Sequence, residues 1–188
     1  MVTIQEENGR WSNHAEDIIN IVPYDHRWVE QFVAERRAIR ECVDAAIPLV
    51  IEHFGSTAIP GLSAKPIIDI MLGADRWHWS TIVQALKRLA YVHWERNPDP
   101  NREFFVKGMP PFGTRRTHHV HLCEVGGPLW ERLLFRDYLQ HHAEDRLAYA
   151  TLKQRLAVEY PEDREAYTRG KDALVAAIME RARSWRRA

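Results

Sequence analysis

The chain has 188 residues, and 45% of them are hydrophobic, which suits one folded domain and excludes a disordered chain. Its 26 Lys and Arg balance 26 Asp and Glu, so it lacks the basic excess typical of DNA-binding proteins, and nucleic acid is not an expected partner. No apolar run approaches the ~20 residues of a membrane span, and Glu6 and Glu7 do not fit a signal peptide. With two scattered thiols, Cys42 and Cys123, these features predict a cytoplasmic protein without a membrane partner.

The first half of the chain predicts one helix followed by short strands. Residues 1–20 are polar and mixed, and we expect an extension there, with a short helical turn at 15–19, before a single domain over 21–188. Apolar residues from Asp25 onwards recur at helical spacing, and Pro48 is expected to end that helix. The nearly continuous apolar run at 66–72 predicts a strand covered on both faces. Further strands are expected at 50–54, 91–95, 103–107 and 117–125, with a helix at 81–89.

The last third of the chain predicts helices alone. Three apolar stripes follow Gly126, and Pro161 separates the second from the third. The expected fold class is therefore α+β: a mixed sheet of about four to five strands, an N-terminal helix and a C-terminal layer of three helices.

The densest chemical signal runs from His53 to Met71. The Gly55-Ser56-Thr57 turn offers backbone N–H groups and two hydroxyls, which suit a phosphate, although a plain capped turn has the same residues. Asp69 interrupts an apolar strand, and a carboxylate there needs either a task or a partner such as Lys65.

A second signal is the strand pattern His118-His119-Val120-His121-Leu122. His119 and His121 share one strand face, and Val120 and Leu122 share the other, so two imidazoles could hold one metal ion together with Asp69. Such a set suits zinc, manganese or iron, and Glu124 is a fallback carboxylate. Hydrogen-bonded or solvated histidines would show the same alternation.

Basic residues supply the remaining candidates. Arg116 and Arg136 could clamp phosphate oxygens beside Lys65, because guanidinium groups match them as a fork. Arg136 could equally form an internal ion pair with Asp137. Aromatic and lysine residues four apart also recur on two helices. They could contact a ligand, although lysine stems packed over rings are the simpler interpretation. These pairs are Tyr149 with Lys153, and Tyr167 with Lys171.

Five short segments in order resemble the GrpB family of small bacterial proteins, over roughly residues 21–185. The segments are Val22-Pro23-Tyr24-Asp25-His26-Arg27-Trp28, Glu52 to Thr57 continuing through Lys65-Pro66-Ile67-Ile68-Asp69-Ile70, Glu103-Phe104-Phe105-Val106-Lys107, His118 to Leu122, and Phe135-Arg136-Asp137-Tyr138-Leu139. The resemblance implies a nucleotidyltransferase-like fold of the polymerase-beta type and a relation to a domain appended to some dephospho-CoA kinases.

The resemblance also shapes the expected function. Nucleotidyltransferases of that fold carry two metal-binding carboxylates at i and i+2 after a Gly-Ser pair, but here Met71 stands at the second position after Asp69. We therefore expect binding of a nucleotide or other phosphorylated small molecule, with phosphoryl, nucleotidyl or related group transfer assisted by a divalent metal (Mg, Mn or Zn). The alternative is a non-catalytic module that binds a nucleotide or coenzyme fragment or assists folding.

Overall fold

The computed structural model describes residues 18–187, so most of the predicted extension and of the turn at 15–19 lies outside the described residues. The described chain contains six α-helices and five strands. The strands are β1 (Val50–Phe54), β2 (Ile68–Gly73), β3 (Tyr91–His93), β4 (Arg102–Lys107) and β5 (His118–Cys123). The helices are α1 (Arg27–Cys42), α2 (Trp79–Arg88), α3 (Arg132–His141), α4 (Ala143–Glu159), α5 (Arg164–Arg169) and α6 (Asp172–Arg187).

The five strands form one mixed sheet in the order β1-β2-β5-β4-β3. Strands β2 and β5 run parallel, and the other three pairings are antiparallel. The α+β class and the mixed sheet predicted from the sequence are thus confirmed. Because β2 and β5 pair in register with Asp69 opposite His119, two of the candidate residues are neighbours on one sheet face.

The main core lies on the opposite face of the sheet. Ile68, Ile70 and Leu72 of β2 pack there with Val120 and Leu122 of β5, beneath α1 and α2. The alternation predicted for both strands therefore holds. The other face of the sheet is also partly covered, because Met71 of β2 and Cys123 of β5 are buried there.

Helix α1 ends earlier than Pro48, the end predicted from the apolar spacing. Asp44 accepts a hydrogen bond from the backbone N–H of Ala46 at 2.9 Å, and this local turn competes with the continuing helix. Val43 and Ile47 are buried all the same, because the turn lies against the core.

The C-terminal layer contains four helices and not the predicted three. The third predicted stripe is divided into α5 and α6 at Gly170, where a Cβ atom would lie 2.6 Å from Leu156 Cδ2. Close packing on α4 therefore accounts for the glycine that interrupts the stripe. Among residues 18–187, every helix is too short or too polar to cross a bilayer.

Candidate functional site

Asp69 and His119 form a hydrogen-bonded pair at the centre of the site. Nδ1 of His119 lies 3.0 Å from Oδ1 of Asp69, and the side chains are 13% and 28% exposed. A carboxylate accepts hydrogen bonds and cannot donate them, so Nδ1 carries the proton and donates it to Asp69. The Nε2 of His119 is then an acceptor; it is buried and has no hydrogen-bond partner in the described part of the chain.

The two side chains shift each other's ionisation. Burial alone would raise the pKa of Asp69, but the hydrogen bond from His119 and the charges of His119, His121 and Lys65 outweigh burial and lower it. Burial lowers the pKa of His119 below 6.5, and the adjacent Asp69 opposes that shift only in part. Near neutral pH the pair is therefore a carboxylate beside a neutral imidazole.

Gly55 fixes the position of the carboxylate. Its φ is +70°, and a Cβ atom there would lie 2.5 Å from Oδ2 of Asp69. A side chain at this position would displace the carboxylate and would also be strained in the left-handed region. The glycine predicted to leave backbone open to a phosphate thus also makes room for Asp69.

His121 lies on the same sheet face as His119, but its Nδ1 has a different hydrogen-bond partner. Its Nδ1 lies 3.1 Å from an amino nitrogen of Arg102, and its ring contacts Phe54 and Phe104 edge-on. Arginine only donates, so Nδ1 of His121 accepts and the neutral ring carries its proton on Nε2. Burial lowers the pKa of His121 well below 6.5, so this ring is neutral.

The three predicted metal ligands come together, but the contact of His121 with Arg102 does not fit a metal. One donor atom each from Asp69, His119 and His121 lies within 4.8 Å of the other two. The Nε2 lone pair of His119 is free, and a hydrogen bond from Nδ1 to a carboxylate is compatible with a metal ligand, but the Nδ1 lone pair of His121 is taken by Arg102. The divalent metal stays a prediction from the sequence.

The positions around this cluster explain why further carboxylates do not join it. Met71, where a second carboxylate was considered, is fully buried and lies 3.3 Å through its sulfur from Sγ of Cys123. The fallback residue Glu124 pairs at 3.1 Å with Arg76 on the surface. Asp69 is therefore the carboxylate of the cluster among the described residues.

Asp69 and His119 line a cavity of about 690 Å³ between the sheet and the C-terminal helices. This volume is within the range of ~300–1,000 Å³ that small-molecule sites occupy. Three lysines from separate parts of the chain also line it: Lys65 before β2, Lys153 on α4 and Lys171 before α6. Ser56 and Thr57 of the predicted turn lie in the same wall.

None of the three lysines forms a salt bridge with a carboxylate of residues 18–187. The ammonium groups of Lys65 and Lys171 lie 5.0 and 4.4 Å from the ring centre of Tyr167. Lys153 is 2% exposed; its Nζ donates to the carbonyl of Ser63 and lies 4.9 Å from the Tyr149 ring. Three cationic side chains thus meet in one cavity with aromatic rings as their neighbours.

Burial lowers the pKa of these lysines by more than the charge of the nearby Asp69 raises it. It lowers the pKa of Lys65 to about 7, with further lowering by Arg164 and Lys171. It also lowers the pKa of Lys153 to about 7 and that of Lys171 to about 8. An anion in the cavity would restore the charged form of all three groups.

The sequence of this chain resembles those of known bacterial proteins. A sequence model described as GrpB protein matches residues 18–181. The chain belongs to the GrpB family. It is 52% identical over 175 residues to the UPF0157 protein PA4798 of Pseudomonas aeruginosa, covering 92% of this chain and 71% of that protein.

Solved structures also resemble this family member. The crystal structure of the conserved protein GrpB from Enterococcus faecalis is 30% identical, with a TM-score of 0.76 over 88% of this chain and 99% of that one. A cytoplasmic RNA terminal U-transferase aligns with a TM-score of 0.44 and 14% identity over 71% of this chain and 42% of that one.

The predicted phosphate ligands have different surroundings in the structure. Thr57 is buried; its hydroxyl donates to the carbonyl of Ile67 at 3.3 Å and lies 3.0 Å from Nε2 of His53. Arg116 is buried, and its charge lowers the pKa of both Lys65 and His119. Arg116 is therefore close to the site, whereas the Thr57 hydroxyl supports the turn.

Arg136 lies apart from the cavity. Its guanidinium donates to Oε2 of Glu52 at 2.8 Å, to the carbonyl of His53 at 2.7 Å and to Asp137 at 2.7 Å. It lines a separate cleft of about 260 Å³ beside α1, β1 and α3. The ion-pair alternative for Arg136 therefore describes the structure, and the phosphate clamp stays a prediction.

Two lysines of the cavity were missing from the predicted phosphate ligands. Lys153 and Lys171 stand four residues after Tyr149 and Tyr167, a spacing attributed to packing of lysine stems over rings. The packing interpretation is right, yet it also places both ammonium groups in the cavity. The repeated spacing of four was the sequence signal for these two lysines. Their position in one cavity becomes visible only when α4 and α6 are packed together in the fold.

Proposed function

We propose that this GrpB family protein binds a phosphorylated small molecule, such as a nucleotide, in the cavity between the sheet and the C-terminal helices. The observation that carries the proposal is that three lysines, Lys153 buried and Lys65 and Lys171 half-buried, line one cavity without a salt bridge to a carboxylate of residues 18–187. Buried charges are otherwise paired, so this arrangement is costly unless a ligand supplies the negative charge. The phosphate groups would lie against Lys65, Lys153 and Lys171, beside the Gly55-Ser56 turn.

Chemistry on that ligand would occur at Asp69 and His119. Both line the cavity, and both belong to the wall that carries Gly55 and Ser56. A phosphate held by the lysines would thus have a carboxylate–imidazole pair next to it, which suits phosphoryl, nucleotidyl or a related group transfer. The family's implied nucleotidyltransferase-like fold agrees with this class of reaction.

Calorimetric titration with ATP, CTP, GTP, UTP and inorganic triphosphate tests the binding. Lys65→Met and Lys171→Met are each expected to weaken binding at least tenfold, because a charge-assisted hydrogen bond contributes ~1.5–3 kcal/mol. Lys87→Met is the matched control, since Lys87 pairs with Glu95 at 3.1 Å outside the cavity. No binding by the wild type across the panel, or equal affinities for the wild type and Lys65→Met, would refute the proposal.

A non-catalytic binding module is the second candidate. The burial of Met71 against Cys123 favours it, because the position of a second catalytic carboxylate is occupied by apolar packing. Phosphorus NMR of the bound nucleotide separates the two candidates. Consumption of the nucleotide by the wild type supports the enzyme, and tight binding with no consumption supports the module.

A further inference from the structure

We propose that Asp69 and His119 form a metal-independent proton-accepting pair, in which His119 takes the proton of an acceptor hydroxyl and the cavity lysines neutralise the phosphate. The inference rests on the proposed function and specifies its chemistry. It replaces the three-ligand metal centre expected from the sequence, and it names the second substrate as a molecule with a free hydroxyl group.

The hydrogen bond between the two residues sets the roles. Because Nδ1 of His119 donates to Asp69 at 3.0 Å, the lone pair of the neutral ring is on Nε2. That Nε2 is buried and has no partner among residues 18–187, so the ligand-free protein leaves one acceptor unsatisfied. A hydroxyl donor from a bound substrate would satisfy it. Asp69 is then a positioning residue, held in place by Gly55 at its other oxygen.

Arg102 keeps His121 out of a metal site. Its guanidinium donates to Nδ1 of His121 at 3.1 Å and lies 5.4 Å from the Phe104 ring centre. The remaining nitrogen of the neutral His121 ring carries a proton, so this ring has no free lone pair. A metal would have to displace that proton or break the arginine contact, and it would sit in a cavity that already holds three lysines.

The lysines supply the positive charge that a metal would otherwise bring. In the proposed step, the acceptor oxygen forms a bond to a phosphorus atom of a phosphoanhydride, and its proton passes to His119 Nε2. The bond from that phosphorus to the bridging oxygen breaks, and the leaving phosphate keeps the electron pair. Protonated Lys65, Lys153 and Lys171 neutralise the charge on the phosphate groups.

Zinc titration tests the exclusion of a metal. The wild type and Asp69→Asn are expected to bind Zn²⁺ with affinities within threefold of each other, since neither holds it at this cluster. Arg102→Leu frees Nδ1 of His121 and is expected to bind Zn²⁺ at least tenfold more tightly. Wild-type affinity at least tenfold above that of Asp69→Asn, or an Arg102→Leu variant no better than the wild type, would overturn the proposal.

ATP binding in EDTA tests the role of the lysines separately. The affinity of the wild type for ATP is expected to change less than threefold between EDTA and Mg²⁺, and a loss of ten times or more in EDTA would contradict metal independence. If ATP and triphosphate fail to bind under either condition, the proposed function fails, while the zinc result still decides the metal question.

Histidine nitrogen NMR tests the pair itself. His119 is expected to show its proton on Nδ1 in the wild type, and Asp69→Asn should shift the proton towards Nε2, because an amide can donate to Nδ1. With ATP in EDTA and glycerol as the hydroxyl-bearing probe, His119→Ala is expected to lose at least 100-fold in nucleotide consumption and to keep its ATP affinity within threefold. A proton on Nε2 in the wild type, or unchanged consumption by His119→Ala, would overturn the base assignment.

Discussion

Gly55 and Asp69 are in contact across the β1–β2 pair, so that a single methyl group at residue 55 would lie 2.5 Å from a carboxylate oxygen. Phe54, the last residue of β1, is the register partner of Asp69. The turn after β1 thus passes directly over the carboxylate. The geometry of the carboxylate–imidazole pair therefore depends on a glycine in another strand's turn.

Gly55→Ala is expected to reduce both stability and ligand binding. Gly55 has a φ of +70° and a ψ of −169°, a backbone conformation that costs a non-glycine residue ~1–3 kcal/mol, and the contact with Asp69 adds to that cost. Nucleotide affinity should fall at least tenfold, because the proposed phosphate position lies beside the Gly55-Ser56 turn, which the added side chain would displace. Urea unfolding and calorimetry measure the two effects.

Gly61→Ala is the matched control for that change. Gly61 has a similar φ of +77°, but a Cβ atom there would meet nothing within 4 Å. Its loss of stability should be limited to the backbone cost of ~1–2 kcal/mol, with ligand affinity unchanged. Equal effects of the two substitutions would show that the contact with Asp69 does not matter.

Lys65→Met is expected to stabilise the ligand-free protein at low pH. The unfolded chain holds the lysine proton up to a pKa of ~10.4, whereas burial lowers the folded pKa to about 7. Between these values the unfolded state binds more protons, so the stability of the wild type rises with pH. The variant lacks this penalty and should be more stable by at least ~1 kcal/mol at pH 6.5.

The advantage of Lys65→Met should shrink steadily as the pH rises from 7 to 10, because the lysine of the folded wild type is then neutral while the unfolded lysine loses its proton only near pH ~10.4. Urea unfolding of the wild type and Lys65→Met at pH 6.5, 8 and 10 measures the trend. Lys87→Met again serves as control, because its exposed side chain already pairs with Glu95. A difference between wild type and Lys65→Met that stays constant across this range would show that Lys65 keeps its ordinary pKa in the fold.

Nucleotide binding is expected to take up protons near pH 8. Two lysines with a pKa of about 7 are then mostly neutral in the free protein, and a bound phosphate favours their charged forms. Uptake should decline towards pH 6, where they are already charged, and affinity should fall above pH 8. Titration of ATP in Hepes and Tris, which differ in ionisation enthalpy, gives the proton count. Binding heats that are independent of the buffer at pH 8 would contradict this expectation.

The fold was more predictable than the site because its signals are local. The alternation His119-Val120-His121-Leu122 assigns faces within a strand, and β5 has those faces. The early end of α1 was missed because a single side-chain bond at Asp44 outweighs a continuing apolar pattern. The spacing of apolar residues does not show whether a side-chain hydrogen bond will end the helix early.

The site depends on relations that the sequence does not show. Parallel pairing of β2 with β5 places Asp69 opposite His119, which is fifty residues later in the chain. Neither strand's sequence predicts that the two strands are neighbours in the sheet. Lys153 and Lys171 reach the same cavity only because two helices dock beside the sheet. The residue types were recognisable, but their hydrogen-bond partners, which decide between metal and proton chemistry, required the folded structure.

Arg136→Met is expected to destabilise the fold and to leave nucleotide affinity within threefold of the wild type. Arg136 joins α3 to β1 through Glu52 and the carbonyl of His53, and its own side chain is 17% exposed. Hydrogen bonds that involve a charged group contribute ~1.5–3 kcal/mol each, but Glu52 is partly solvated, so a total loss of about 2 kcal/mol is expected. Arg37→Met, which breaks an exposed pair with Glu41, should cost ~0.5 kcal/mol or less. Urea unfolding and ATP titration of both variants decide the matter: weakened ATP binding by Arg136→Met with unchanged stability would restore Arg136 as a phosphate ligand.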